Sequence, residues 1–560
     1  MAIDSESRQN GHLNGNIKEV PVLIVGGSLV GLTLAALLAH HGLEGCLVVE
    51  KHSSTAIHPR ATVMMPRTMQ VFKELGLYDR MREESLKYYD ERACIITIES
   101  LAGKLIKEWM RDVNDGIHNV SAIRRVFLTQ QALEPLLRAR AKELGAILRF
   151  STEMVAFTQD KHGVTAILRD NQSGKQHQVR SKYIVACDGF RSTTRRMLHI
   201  PTHGPGLLSR ALTIYFQITD NAALAKLPNA HYSGVIYVDN AAVRCFFRFD
   251  REKKESFLVI NSAGQQGTEE SRFPADIMTV EKAAEYLRAA IGADVPFKIH
   301  QLSTWEAIAD VPDRIRDGRV FLAGDSAHRM PPSGGFGGNT GVQDAHNLAW
   351  KLAYVLQGKA GEELINDTYE AERYPVAKVT VENAFAHYVE RTEPSLKHMI
   401  KEFDITLSPV EHLELAYRYH SRALFSEPFN KTQLTEDPHT AIARPGSVAH
   451  HVMVDLWCRA PVPISNVFGR GFVLFVGPGD KGWAEAVQSL KSKKMPDIRI
   501  QPLIYDHKCS YAKRYAVDVD GAVLIRPDGF VAWSSRSGPE NGRSAKAVMQ
   551  DVMDKVLCRS

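Results

Sequence analysis

The chain has 560 residues, of which 69 are Lys or Arg and 64 Asp or Glu, for a net charge of +5 spread without a long basic block. That length exceeds a single compact core and allows about three domain-sized units, and the even charge argues against nucleic acid as a partner. Short patches such as Lys491, Lys493 and Lys494 read as solvated loop. The first nineteen residues are polar, no later stretch reaches the roughly 18 consecutive apolar residues of a membrane span, and a cytoplasmic protein is expected. Seven scattered cysteines, Cys46, Cys94, Cys187, Cys245, Cys458, Cys509 and Cys558, are odd in number and have no CxxC spacing, so neither a disulfide framework nor a zinc site is suggested, and most read as buried, inert thiols. Cys558 stands too near the end for a prenylation box.

Val20 to Val25 read as a strand, GGSLVG as a tight turn, Leu29 to His41 as a helix, and Leu47 to Val49 as a second strand ending in Glu50 and Lys51. This βαβ order, with an acid at about the expected distance, is a dinucleotide fingerprint. Gly26 permits the turn, Gly31 lets the helix sit on the strand, and Glu50 can accept hydrogen bonds from ribose hydroxyls. Ser28 replaces the middle glycine; its Cβ narrows the space for pyrophosphate, while its hydroxyl can bond a phosphate oxygen. His40 and His41 read as a helix end rather than a metal-ligand pair, and no metal site is expected. Arg67 and Thr68 open a helix, and Leu133, Leu136 and Leu137 form the core face of another near Gln130. In YIVACDGFRSTTR a strand ends at Asp188 and Gly189, with Arg191 and Arg195 beyond as ligand contacts or surface charges.

From about 205 to 310 alternating strands replace the βα units. Leu212, Ile214, Phe216 and Ile218 face one way and Thr213, Tyr215 and Gln217 the other; Val243, Cys245, Phe247 and Phe249 likewise oppose Arg244, Phe246 and Arg248. The polar, aromatic-bearing face either roofs a pocket or meets water. Next, Val320 to Ala323 form a buried strand stopped by Gly324 and Asp325. Pro331, Pro332, Gly334, Gly335, Gly337 and Gly338 follow, a loop that lets main chain lie close to a flat ligand. Asn339 or Thr340 then caps a helix whose buried side carries Ala345, Leu348, Ala349 and Leu352. The positive end of that helix, placed at Asn339 to Gly341, points into the loop and suits an anion. Beyond residue 440, GFVLFV, the helix from Ala484 to Leu490, IRIQPLIY and AVLIRPDGFVAW alternate β and α.

These motifs resemble the flavin-dependent aromatic hydroxylases, the single-component FAD monooxygenases typified by p-hydroxybenzoate and phenol hydroxylases. The resemblance rests on Gly324, Asp325, Ala327, His328, Pro331, Pro332, Gly335, Gly338, Asn339 and the run QDAHNLAWKL from Gln343 to Leu352. It implies that Asp325 binds ribityl or ribose hydroxyls of FAD and that Gly338 and Asn339 offer main-chain amides to the isoalloxazine. It extends to Asp188 and Gly189 at FAD and nicotinamide, to Arg60 near the FAD pyrophosphate, and to Gln130 as an FAD contact. Thr62 stands where phenol hydroxylases of this group carry an acid, so no carboxylate base is assigned. INDTYEAERYPVA closes the matched region, and LIRPDGFVAW resembles the end of the thioredoxin-like domain of the longer phenol hydroxylases.

The expected fold is α/β: a Rossmann-like FAD-binding domain interleaved with an antiparallel-sheet substrate domain, plus a C-terminal thioredoxin-like domain. The expected partition is a disordered tail over 1–19, the FAD-binding domain over 20–395 interrupted by the substrate domain at about 85–120 and 205–310, a connector over 396–440, and the last domain over 441–560. That last domain lacks CxxC, so oligomerisation or shielding is its expected role, and a homodimer is compatible with it. The family implies a monooxygenase that uses NADPH or NADH as transient reductant and O2, through a flavin hydroperoxide, to hydroxylate a phenol. Tyr215, Tyr232, Tyr237, His231 and Arg244 are the candidates for holding or deprotonating that phenol. Baeyer–Villiger insertion or epoxidation on the same scaffold, and a non-catalytic flavin-binding regulator, stay open.

Overall fold

A computed structural model describes residues 19–56, 63–252, 256–263, 278–426, 433–456, 460–506, 508–539 and 542–559. Arg60 and Thr62 lie outside the described residues, as does the expected tail except Glu19, which opens the first strand.

Five strands run parallel in the order Val320–Leu322, Gln176–Ala186, Glu19–Val25, Leu47–Val49 and Ile147–Arg149. The helix Leu29–His40 crosses between the third and fourth, and its sequence LVGLTLAALLAH is apolar on every side because it lies in the interior. It packs between the helices Gln130–Glu143 and Phe336–Leu356. Two strands, Thr152–Asp160 and Gly163–Asp170, extend the sheet as an antiparallel meander along the first half of Gln176–Ala186.

The second sheet has seven strands, running from Phe297–Pro312 through Thr202–Ile218, Ser256–Ala263, Val243–Arg248, Gly234–Asp239 and Cys94–Ile98 to Leu105–Met110. It departs from the antiparallel sheet expected, because Gly234–Asp239 pairs parallel with Cys94–Ile98. Cys94–Ile98 enters from the earlier excursion of the chain as a hairpin with Leu105–Met110, and no hairpin links it to Gly234–Asp239. Leu212, Ile214, Phe216 and Ile218 bury one face against Ala283, Leu287, Ala290 and Ile291 of the helix Val280–Ile291. The other face is turned toward the first sheet.

A third sheet orders Ile498–Pro502, Phe472–Val476, Ala522–Ile525 and Val531–Ser535, with helices Trp483–Ser489, Ser510–Tyr515 and Ala545–Val556. AVLIRPDGFVAW is thus a hairpin whose turn is RPDG. That turn enters the first unit. Arg526 makes two hydrogen bonds to Glu372, at 2.7 and 2.8 Å, and Lys351 reaches the same carboxylate at 2.7 Å. All three are fully buried. Arg67 of the helix Pro66–Glu74 donates to the carbonyl of Asp528.

Candidate active site

Val25, Ala186 and Leu322 lie level on adjacent parallel strands. The turns that follow them, at Gly26, Asp188 and Gly324, therefore share the carboxyl edge of one sheet, the usual ligand edge of such folds. Gly26 has φ 110° and a Cβ there would lie 2.2 Å from the Cys187 carbonyl oxygen, so only glycine fits. Glu50 accepts from the backbone N–H groups of Gly27 at 2.8 Å and His52 at 2.9 Å, which fixes its carboxylate beside the turn with lone pairs to spare. Lys51 is exposed.

Ser28 departs from expectation. Its hydroxyl donates to Glu134 and accepts from Gln130 Nε2 at 2.7 Å, so its one proton is not available for a phosphate oxygen. Glu134 also accepts from Leu29 N–H at 2.9 Å and Ala56 N–H at 2.7 Å, and it is fully buried. Val30 and Gly31, in the first turn of the helix, keep N–H groups that helix geometry leaves for an anion.

The helix after the glycine loop begins at Phe336, three residues before Asn339, because Gly335 caps it with φ 70°. Asn339 is buried inside the helix. Its side chain accepts from Met65 N–H at 2.9 Å and donates to the carbonyls of Val63 at 2.8 Å and Gly335 at 2.7 Å. The free N–H groups of the first turn thus belong to Phe336, Gly337 and Gly338. A Cβ at Gly341 would lie 2.5 Å from Val30 Cγ2 and 3.0 Å from Gly324 Cα, so both helix starts and the Gly324 turn meet there.

Asp344 holds this junction. It accepts from Gly324 N–H at 3.0 Å, His328 Nε2 at 2.7 Å and Arg373 Nε at 2.7 Å. Burial opposes its charge, but Arg373 and His328 outweigh burial and hold its carboxyl below the ordinary value. Arg195 is no surface charge: it is buried and donates to the carbonyls of Ser326 at 2.8 Å and Phe190 at 3.2 Å. Arg191 is exposed. One oxygen of Asp188 accepts from Thr194 N and Oγ1, both at 2.9 Å, while the other is buried without a partner among the described residues.

In front of the glycine loop lies a cavity of about 380 Å³. Asp325, Pro331 to Gly335, and Gly337 to Asn339 form its floor. Thr213, Tyr215, Tyr237, Phe246, Phe257 and Trp305 form its roof, so the polar face of the second sheet covers a pocket rather than meeting water. Arg125 and Glu414 close one wall as a buried ion pair at 2.6 Å. Burial raises the Glu414 carboxyl above the usual range despite that guanidinium. Tyr232 packs on the core at the opposite face of the sheet, and His231 is exposed. Arg244 bonds Asp239 at 2.9 Å and is not a wall residue.

The arrangement fits FAD: the unpartnered Asp188 oxygen awaits a donor, and the side-chain-free floor at Gly337 and Gly338 suits a flat ring. Sequence reasoning missed Glu134, Asp344 with Arg373, and the Arg125–Glu414 wall. Glu134 follows Gln130 by one helical turn but shares a face with Leu133 and Leu137; Asp344 and Arg373 lie inside motifs that gave them no role, and Arg125 and Glu414 lie 289 residues apart.

Residues 19–384 match a family described as FAD binding domain, and residues 443–558 one described as aromatic-ring hydroxylase, C-terminal. A 4-methyl-5-nitrocatechol 5-monooxygenase of a Burkholderia species is 43% identical over 552 residues, 97% of this chain and 98% of its own length. Aklavinone 12-hydroxylase RdmE of Streptomyces purpurascens is 32% identical, covering 96% of this chain and 100% of its own. The crystal structure of aklavinone-11 hydroxylase with FAD and aklavinone is similar with a TM-score of 0.86 at 30% identity, over 97% of this chain and 100% of that one. The flavin-dependent monooxygenase PieE with FAD and substrate gives 0.80 at 28%, over 97% and 99%.

Proposed function

The chain belongs to the FAD-dependent aromatic-ring hydroxylases, and from that premise we propose that it is a single-component monooxygenase that hydroxylates a phenolic ring with NAD(P)H and O2. One observation carries the reading: a glycine floor at a helix start faces an aromatic roof across one cavity. FAD, reduced by the nicotinamide nucleotide, supplies the activated oxygen. The chain's own residues do the rest. N–H groups of Gly337 and Gly338 face negative charge at the floor. Phe246, Phe257 and Trp305 exclude water.

Tyr237 is the roof hydroxyl we assign to the substrate's phenol, because it lines the cavity and has no hydrogen-bond partner among the described residues. Tyr237→Phe is expected to lower kcat/KM about tenfold, the worth of one such bond. The ring class follows the relatives, whose names include a nitrocatechol and polyketides. The C-terminal unit, with its βαβαββα order and its third strand antiparallel to the first, is read as thioredoxin-like without redox function.

Screening phenols for stimulated NADPH consumption, followed by product structure, tests the reading. Yellow protein whose NADPH oxidation no phenol accelerates would overturn it.

A further inference from the structure

Three arginines stand in the cavity wall, Arg125, Arg329 and Arg391. Arg125 is committed to Glu414 and the Val113 carbonyl, and Arg329 donates to Asp310 at 2.6 Å. Arg391, at the end of the helix Thr368–Arg391, has no hydrogen bond or ion pair with any described residue, and its Nε is buried without a partner. The guanidinium lies 5.1 Å from the ring centroid of Trp109, which steadies it without neutralising it.

Among the described residues, Lys107 and Arg244 are matched and His387 is uncharged. Lys107 meets Glu390 at 3.6 Å, and Arg244 is held by Asp239 and reaches the Thr392 carbonyl. His387, one turn before Arg391, is lowered to about 4, first by burial and then by repulsion from Arg391 itself, so it stays neutral. The carbonyls at the helix end attract Arg391 only weakly. A guanidinium whose Nε is buried without an acceptor favours a negatively charged group beside it.

We propose that Arg391 is the anion anchor of the cavity and selects aromatic substrates that enter carrying a negative charge, either as phenolates, whose ionisation a nitro substituent favours, or as carboxylates. This rests on the hydroxylase reading and names its substrate class. Two catechols of similar size separate charge from shape: 4-nitrocatechol, ionised at neutral pH, and 4-methylcatechol, neutral there. Binding to the FAD-loaded enzyme is read from the flavin spectrum, and turnover from NADPH consumption.

Wild type should bind the nitrocatechol more tightly. Arg391→Met should weaken that binding roughly 10- to 100-fold, the range of a charge-assisted hydrogen bond, and leave methylcatechol within about twofold, with Arg391→Lys restoring much of the loss. Equal loss for both catechols in Arg391→Met, or no change for either, overturns the assignment, as does a wild type that prefers the neutral ring. Tight, Arg391-dependent binding without hydroxylated product overturns the hydroxylase reading and leaves the anchor standing. A wild type that binds neither catechol overturns both.

Discussion

Glu134 gathers hydrogen bonds from Ser28, Leu29, Gln130 and Ala56 beneath the first glycine turn. Removing it leaves several buried donors unpaired, each costing about 1–3 kcal/mol. Glu134→Ala should therefore lower stability by about 3 kcal/mol in urea unfolding and raise the Kd for FAD at least tenfold or so in fluorescence titration of the apoprotein. Gln130 was read as an FAD contact and is found bonded to Ser28 and Glu134, whereas Glu134 was not singled out. It shares a helix face with Leu133 and Leu137, and that spacing reads as apolar core. His41 gives a second prediction at this scale. Burial first of all lowers it from 6.5 to about 4, against the attraction of Glu74, and Nδ1 meets the Arg470 carbonyl at 3.1 Å. A neutral ring favoured in the fold contributes stability above pH 6.5 that is lost as pH falls from 6.5 toward 4, about 2 kcal/mol at pH 5. Melting temperature should drop between pH 7 and 5, and His41→Asn should flatten that slope.

At the scale of elements, the helix Phe336–Leu356 connects the floor of the cavity to its supports. Asp344→Asn would leave Arg373 buried without its counter-charge, a change of about 3–5 kcal/mol. Purified Asp344→Asn should emerge with less bound FAD than wild type, measured by the ratio of flavin to protein absorbance. The helix itself was legible from Ala345, Leu348, Ala349 and Leu352, but its start was not. Asn339 looked like a cap because its side chain can cap; in the fold that amide is spent on Val63 and Met65, and Gly335 turns the chain earlier. Strand alternation was legible too, since Leu212 to Ile218 obey a period of two. What lay opposite Thr213 and Tyr215 was not, because only tertiary packing decides whether a polar face meets water or a pocket.

For the whole molecule, the expected role of the C-terminal unit as oligomer contact or shield understates its attachment. Arg526, Glu372, Lys351 and Asp528 form a neutral cluster in the interior, and Trp350 and Tyr354 pack on Phe472. RPDG was legible as a motif, whereas its partners lie about 150 residues or more away in sequence. Arg526→Met should cost about 3–5 kcal/mol, and calorimetry should show the C-terminal unit and the flavin-binding part losing stability together rather than in two separated transitions. The position of the three ligand turns, near residues 26, 188 and 325, has a consequence for biogenesis. During translation the strand at Glu19–Val25 leaves the ribosome long before Val320–Leu322 exists to complete its edge. Nascent chains that end before the Phe336–Leu356 helix have no complete berth for the cofactor, so colour is acquired only in the last third of synthesis or after release.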